Sequence, residues 1–130
     1  MSGLAATLAE AYLLPARASA FSLRGPLYHT AFRHTLETHA RVEGDGSTYV
    51  WTGDIPGMWL RDSAVVALPY IDIAKGDKQT ASLLRGILAR QAKCILKNPY
   101  ANAFRSDYRV FEEKFELDSL LYPIWFCSLY

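Results

Sequence analysis

Residues 51–63 (Trp-Thr-Gly-Asp-Ile-Pro-Gly-Met-Trp-Leu-Arg-Asp-Ser) place two tryptophans, two carboxylates and one guanidinium in a stretch whose Gly and Pro content predicts irregular backbone. Carbohydrate sites need this mixture, because an aromatic face covers the C–H side of a pyranose ring while charged groups bind its hydroxyls. Arg61 and Asp62 are therefore candidate sugar ligands. A structural interpretation remains open, in which Asp62 caps a helix, Arg61 pairs with Asp62 or Asp54, and the tryptophans fill the core.

A second cluster lies at residues 111–119 (Phe-Glu-Glu-Lys-Phe-Glu-Leu-Asp-Ser), just before an apolar helix. The helix macrodipole favours acids at this place, which is a sufficient structural reason for Glu116 and Asp118. Asp-Ser also stands at residue 62, so two parallel helices of a barrel would open these side chains on one face. A glycosidase needs two carboxylates beside the scissile bond, about 6.5–9.5 Å apart for inversion and closer for retention.

Other chemistries find little support in the sequence. It has no glycine-rich phosphate loop, no G-x-S-x-G and no H-E-x-x-H. His29, His34 and His39 fall at intervals of five, which does not stack them on one helix face, so we expect no metal or cofactor. Cys94 and Cys127 lie in apolar segments and are predicted to be buried thiols, with a disulfide left open.

The net charge and hydropathy of the sequence indicate which classes of binding partner to expect. Lys and Arg total 14 against 13 Asp and Glu, and this near-neutral balance predicts neither nucleic acid nor an anionic membrane as partner. No apolar run approaches the roughly 20 residues that span a bilayer. The Ala- and Leu-rich start is interrupted by Glu10 and Pro15 and has no preceding basic residue, so it does not resemble a signal peptide. This favours a cytoplasmic location and leaves the oligomeric state open.

Hydrophobic periodicity predicts an all-α chain with about four helices and one short extended segment near 47–51. The helices are expected over 27–41, from Asp62 or Ser63 to Gly76 with a kink at Pro69, over 77–97, and from Asp118 to the end. The last of them is still apolar at Tyr130 and has no cap, which predicts a truncated chain.

The segment 52–63 resembles the hallmark sequence of glycoside hydrolase family 125, the exo-α-1,6-mannosidases, whose usual form has Ala at the position of Gly57. Residues 45–50, 98–104 and 112–123 resemble further segments of this family in the same order. The resemblance implies a partial (α/α)6 toroid that hydrolyses terminal α-1,6-linked mannose with inversion and without a metal.

The resemblance also assigns roles to side chains. It implies that the α-mannoside substrate is bound by Arg61, Asp62, Glu116 and Asp118, with Trp59 and Asn102 as lesser candidates. The family's general acid and base lie in segments further along, which nothing in this sequence matches. We therefore expect no catalytic residue in this chain.

The resemblance runs from about residue 25 to the end, which predicts an N-terminal segment over 1–24 and, over 25–130, the N-terminal part of a toroidal glycosidase domain. The connector between Phe104 and Val110 is shorter than in relatives. Four helices do not close a toroid of about twelve, so the 130-residue chain is expected to be inactive alone. The alternative is a non-catalytic remnant that binds mannosides or assembles with another chain.

Overall fold

A computed structural model describes residues 34–130. Contacts divide the chain after His39, and Ala40–Tyr130 forms one compact unit that contains every feature discussed below. Residues 27–33 of the helix predicted over 27–41 lie outside the described residues. Within them, residues 34–39 are helical and a strand begins at Ala40, so the last two residues of that prediction are wrong.

A hairpin opens this unit, with β1 (Ala40–Val42) antiparallel to β2 (Thr48–Val50). The strand β2 lies in the segment predicted to be extended, and all three of its residues are buried. Gly86, which lies in the long helix over Lys78–Lys97, allows this burial, because a Cβ at Gly86 would lie 2.2 Å from Thr48 Oγ1. The side chain therefore has to be absent for strand and helix to pack this closely.

A three-stranded sheet holds one candidate site residue, Trp59, and Asn102 directly precedes its middle strand. It consists of β3 (Met58–Trp59), β4 (Ala103–Phe104) and β5 (Val110–Glu112), paired antiparallel in the order β3-β4-β5. Ala103 faces Trp59 on one side and Glu112 on the other, so these three residues form one cross-strand row. The sequence pattern predicted no strand here, because strands of two or three residues are too short to show alternation.

The second predicted helix is divided in two. It begins as α1 (Leu60–Ala67), passes through a 3-10 turn at Leu68–Tyr70 and continues as α2 (Ile71–Ala74). Pro69 in the 3-10 turn has no N–H to donate, which explains the interruption and agrees with the predicted kink. The predicted caps are wrong, since extended Trp59 precedes the helix and Asp62 and Ser63 lie within its first turn.

The two remaining helices match their predictions. The helix α3 (Lys78–Lys97) is capped by Asp77, whose carboxylate accepts the Thr80 N–H at 2.7 Å, and α4 (Asp118–Leu129) contains Pro123. No helix among residues 34–130 has both the length and the apolar content needed to cross a membrane.

The core of this unit joins α1, α3 and β4 through Leu60, Cys94, Ala101 and Phe104. Cys94 is buried there, and burial raises the pKa of its thiol to about 12. Cys127 is exposed and both thiols are free, so the prediction of two buried thiols is wrong for Cys127. The helix α4 carries apolar side chains that are at least about half exposed, namely Leu121, Ile124, Trp125 and Leu129.

Candidate functional site

Arg61 connects the two sequence clusters. Its Nη1 donates to Asp118 Oδ2 at 2.8 Å and its Nε donates to Asp62 Oδ1 at 2.9 Å. Arg61 and Asp62 lie in the first turn of α1, Asp118 begins α4, and the two helices pack against each other. The Asp-Ser sequences at 62 and 118 therefore lie in the first turns of two helices that pack together, and side chains 57 residues apart meet.

Arg61, Asp62 and Asp118, here called the Arg61 group, stabilise one another's charges and remain accessible to solvent. The side chains of Arg61, Asp62 and Asp118 are 39%, 34% and 39% exposed. Hydrogen bonds to Asp118 and then Asp62 raise the pKa of Arg61, and the Arg61 guanidinium lowers the pKa of Asp118. Because water screens half-exposed pairs, they add little to stability and are free to bind a polar ligand.

Asn102 organises a second group of acids. The side chain is 1% exposed, and its Nδ2 donates to Glu112 Oε2 at 2.5 Å and to Glu116 Oε2 at 3.3 Å. The Trp59 indole N–H donates to the same Glu112 oxygen at 3.2 Å. One buried amide thus holds two carboxylates of the acidic segment in place.

The two groups belong to one site. The backbone N–H of Leu60, the residue before Arg61, donates to the Asn102 carbonyl oxygen at 3.0 Å. Glu116 stands two residues before Asp118 and forms an ion pair with Lys114 at 2.8 Å. The structure therefore brings together all six candidate residues, which are Trp59, Arg61, Asp62, Asn102, Glu116 and Asp118.

Glu112 is a site residue that sequence reasoning missed. It stands next to Glu113 among four acids, and no local pattern separates the two. Its pairing opposite Ala103 places it in the same row as Trp59, and the small Ala103 side chain between them lets the indole reach the carboxylate. Only this strand register could have identified it, since neighbouring residues of a strand face opposite sides.

The acid chemistry of the site follows from its pKa values. Lys114 and then Asn102 lower the pKa of Glu116, and Arg61 lowers that of Asp118. A glycosidase general acid requires the opposite, a pKa raised toward neutrality. These two carboxylates are therefore suited to accept hydrogen bonds from hydroxyl groups rather than to donate a proton.

No group of three or more His, Cys, Asp or Glu side chains among residues 34–130 is arranged to hold a metal ion. The described side chains of the site offer the unengaged guanidinium N–H groups of Arg61 beside carboxylate acceptors, with the Trp59 ring at the side. This set fits a polyhydroxylated ligand, because each hydroxyl both donates and accepts.

Comparisons with known proteins agree with this chemistry. The profile of the metal-independent alpha-mannosidase family (glycoside hydrolase family 125) matches residues 25–130. A Schizosaccharomyces pombe protein, the meiotically up-regulated gene 157 protein, is 36% identical over 120 residues, covering 72% of this chain and 24% of that protein.

A solved structure of a Streptococcus pneumoniae metal-independent α-mannosidase, in a non-productive substrate complex with α-1,6-mannobiose, is similar with a TM-score of 0.84 at 33% identity. The match covers 97% of this chain and 32% of that one, so this chain spans about a third of the solved enzyme. The prediction of an all-α, partial (α/α)6 fold is thereby confirmed, with short strands added to the helices. This chain belongs to the metal-independent α-mannosidases of glycoside hydrolase family 125.

Proposed function

We propose that this chain supplies the mannose-binding part of an exo-acting α-1,6-mannosidase that inverts the anomeric configuration. In this proposal the hydroxyls of the terminal mannose are bound by Arg61, Asp62, Glu116 and Asp118, with Trp59 and Asn102 beside them. The observation that carries the proposal is the half-exposed arrangement of Arg61 between Asp62 and Asp118 at the start of two packed helices.

The hydrogen-bonding capacity of Arg61 supports this role. A guanidinium has five N–H donors, and among the described residues two of them are engaged, one with each aspartate. The remaining donors, together with the second oxygen of each carboxylate, present alternating donors and acceptors to a ligand. Such charge-assisted bonds are about twice as strong as neutral ones, which suits recognition of sugar hydroxyls.

The choice of terminal α-1,6-linked mannose rests on the similar Streptococcus pneumoniae protein, whose structure is a complex with α-1,6-mannobiose. The proposed inversion of the anomeric configuration rests on the family resemblance and on the general chemistry of inverting glycosidases. An inverting enzyme places a general acid and a general base on opposite sides of the scissile bond, with a water molecule beside the base.

We infer that the general acid and base come from parts of the toroid outside these 130 residues. The pKa values of Glu116 and Asp118 are lowered, so neither is a suitable general acid. The chain also spans only 32% of the solved relative, and two thirds of that enzyme therefore have no counterpart here. On this basis the 130-residue chain alone binds mannosides without hydrolysing them.

A second candidate function is assembly as a non-catalytic, mannoside-binding subunit. The half-exposed apolar side chains of α4, including Ile124 at 63% exposure, favour it. Soluble proteins avoid large exposed apolar patches, so this face is suited to packing against further helices, either of the same fold or of another chain.

Titration of the purified chain with mannose and α-1,6-mannobiose, followed by NMR, tests the binding role. We expect both sugars to bind and no mannose to be released from the disaccharide. Arg61→Met, which keeps the aliphatic stem and removes the charge, should weaken binding at least tenfold. Arg85→Met on an exposed position of α3 is the matched control and should bind as the unaltered chain does.

Two results would contradict the proposal. Unchanged affinity in Arg61→Met would show that the Arg61 group does not contact the sugar. Release of mannose by the purified chain would show that its own residues include the general acid and base.

A further inference from the structure

One carboxylate oxygen of Glu112 accepts hydrogen bonds from two of the candidate sugar-binding residues. The Trp59 indole N–H donates to Glu112 Oε2 at 3.2 Å, and the Asn102 amide Nδ2 donates to the same oxygen at 2.5 Å. We propose that Glu112 is a positioning residue, which sets the orientation of the Trp59 ring and the Asn102 amide toward a bound mannose and does not itself contact the sugar. The inference rests on the proposed function and extends it to the residue that orients two of its binding side chains.

The backbone around Glu112 is fixed by its pairing with the middle strand of the sheet. Glu112 stands opposite Ala103, and Ala103 stands opposite Trp59. The Asn102 N–H donates to the Glu112 carbonyl oxygen at 3.2 Å, and the Asn102 carbonyl oxygen accepts the Leu60 N–H at 3.0 Å. Because Ala103 carries only a methyl group, the longer side chains of the two outer strands meet across it. The carboxylate is therefore presented from regular sheet structure, which holds a side chain more precisely than a loop does.

The bond to Glu112 determines how the Trp59 ring is turned. An indole has a single N–H donor, and Trp59 directs it to Glu112. The Phe111 ring packs edge-on against the same indole, with a centroid distance of 5.5 Å and an interplanar angle of 69°. Trp59 is only partly buried, so packing alone leaves the ring room to rotate, and the hydrogen bond removes that freedom. A ring that is already fixed presents its apolar face to the C–H side of a pyranose without losing further rotational freedom on binding.

Glu112 also determines which end of the Asn102 amide points toward the acidic segment. A carboxylate accepts hydrogen bonds and does not donate them, so the amide has to turn its NH2 end toward it. Asn102 Nδ2 does so, while its Oδ1 accepts the Lys114 backbone N–H at 3.3 Å. The same Nδ2 lies 3.3 Å from Glu116 Oε2, which is a longer contact than the one to Glu112. Glu112 is therefore the principal anchor of the amide, and through the amide it helps to hold Glu116.

Two other roles for Glu112 give different expectations. A role in folding alone would appear as a loss of stability, but the side chain is exposed, and water competes for such bonds and limits their contribution. A role as a direct sugar ligand would depend on the negative charge, because charge-assisted bonds to hydroxyls are stronger than neutral ones. A positioning role requires only an acceptor oxygen at the place of Oε2, which a glutamine side chain also supplies.

Three variants of the 130-residue chain, titrated with mannose and followed by NMR, separate these roles. Glu112→Met keeps the aliphatic stem and removes both carboxylate oxygens, and it should weaken mannose binding about tenfold. Glu112→Gln keeps an acceptor oxygen in a side chain of the same shape and should bind within about twofold of the original chain. Glu113→Met, at the neighbouring exposed position, is the matched control and should leave the affinity unchanged.

The NMR signal of the Trp59 indole N–H reports on the hydrogen bond itself, and its absence in Trp59→Leu identifies it. We expect this signal to shift upfield and to exchange faster with water in Glu112→Met, and to stay near its original position in Glu112→Gln. Urea denaturation separates positioning from folding. The free energy of unfolding of Glu112→Met should be close to that of Glu113→Met.

Unchanged mannose affinity, an unmoved indole signal or an unfolded chain in Glu112→Met would overturn the inference, and weakened binding by Arg61→Met would then leave the proposed function intact. Equal loss of affinity in Glu112→Gln and Glu112→Met would also overturn it, since the charge itself would then contact the sugar. If Arg61→Met binds mannose normally while only Glu112→Gln restores the binding lost in Glu112→Met, the proposed role of Arg61 fails and the positioning role of Glu112 stands. If the original chain binds no mannose, the proposed function fails and the inference fails with it.

Discussion

Gly57→Ala tests how the hallmark segment is packed in this chain. The family resemblance implies Ala at this position, so a consensus argument predicts that the substitution stabilises the protein by about 0.4–1 kcal/mol, through a less flexible unfolded chain. The geometry predicts the opposite. A Cβ at Gly57 would lie 2.9 Å from Trp59 Cζ3 and 3.1 Å from Phe111 Cδ1, both closer than ordinary van der Waals contact.

The expected change in the free energy of unfolding is the steric cost in the folded protein minus the entropic gain from the less flexible unfolded chain. Inserting a methyl group into a packed site costs typically about 1–3 kcal/mol, and the gain from the unfolded state offsets less than 1 kcal/mol of it. Because the Trp59 ring is only partly buried and can rotate outward, we expect a net loss near the lower end, about 1 kcal/mol. Outward rotation would also break the 3.2 Å bond from the indole to Glu112.

Urea denaturation followed by far-UV circular dichroism measures this loss without depending on tryptophan fluorescence. Trp59→Leu is the informative background, since it removes the nearer of the two rings that the new methyl group meets. We expect Gly57→Ala to lower the free energy of unfolding in the original chain and to raise it slightly in the Trp59→Leu chain. Equal effects in both backgrounds, or stabilisation in the original chain, would refute the steric argument.

Three further predictions concern other parts of the structure. Gly86→Ala should lower the free energy of unfolding by about 3 kcal/mol in urea titrations, because its Cβ would lie 2.2 Å from Thr48 Oγ1 and 2.8 Å from the Thr48 backbone nitrogen. Asp77→Ala should cost about 1 kcal/mol in the same assay through loss of the α3 cap, and Asp77→Asn much less. Because Arg61 lowers the pKa of Asp118 in the folded state, the stability from this pair is present above the usual aspartate pKa and is lost as pH falls below it. Thermal unfolding of Arg61→Met between pH 2 and 5 should therefore depend less on pH than that of the original chain, and an identical pH profile would contradict this.

Local signals were sufficient to locate Arg61, Asp62 and Asp118. A repeated Asp-Ser indicates the first turns of two helices, and parallel helices of a barrel would open such turns on the same face. The structure brings the three side chains together through one guanidinium. Their role in binding mannose remains a prediction, since proximity does not identify the ligand.

The remaining parts of the site depend on contacts between distant segments, which no local pattern records. Glu112 and Glu113 are indistinguishable in sequence, and only pairing with Ala103 separates them. Likewise, helical periodicity continues through residue 41, but pairing with β2 makes Ala40–Val42 a strand. Tertiary contacts commonly override such weak local preferences. A cavity beside the site is a stronger case, because its walls come from four stretches of chain, around Arg41, Tyr49–Trp51, Asp54–Pro56 and Arg105–Arg109, which no single motif contains.

On the proposed function, in which the proton donor lies in another part of the toroid, the charge balance of the site indicates what this chain contributes. Four acidic side chains (Asp62, Glu112, Glu116 and Asp118) stand beside two basic ones (Arg61 and Lys114), and the bonds described above hold each acid in place. Glycoside hydrolysis passes through an oxocarbenium-like transition state that carries positive charge. Fixed negative charge beside such a centre lowers its energy without reorganisation. On the proposed function, the lowered pKa values of Glu116 and Asp118 therefore suit two tasks, since the same ionised carboxylates accept hydrogen bonds from the hydroxyls of the bound sugar and favour the charge that develops on its ring.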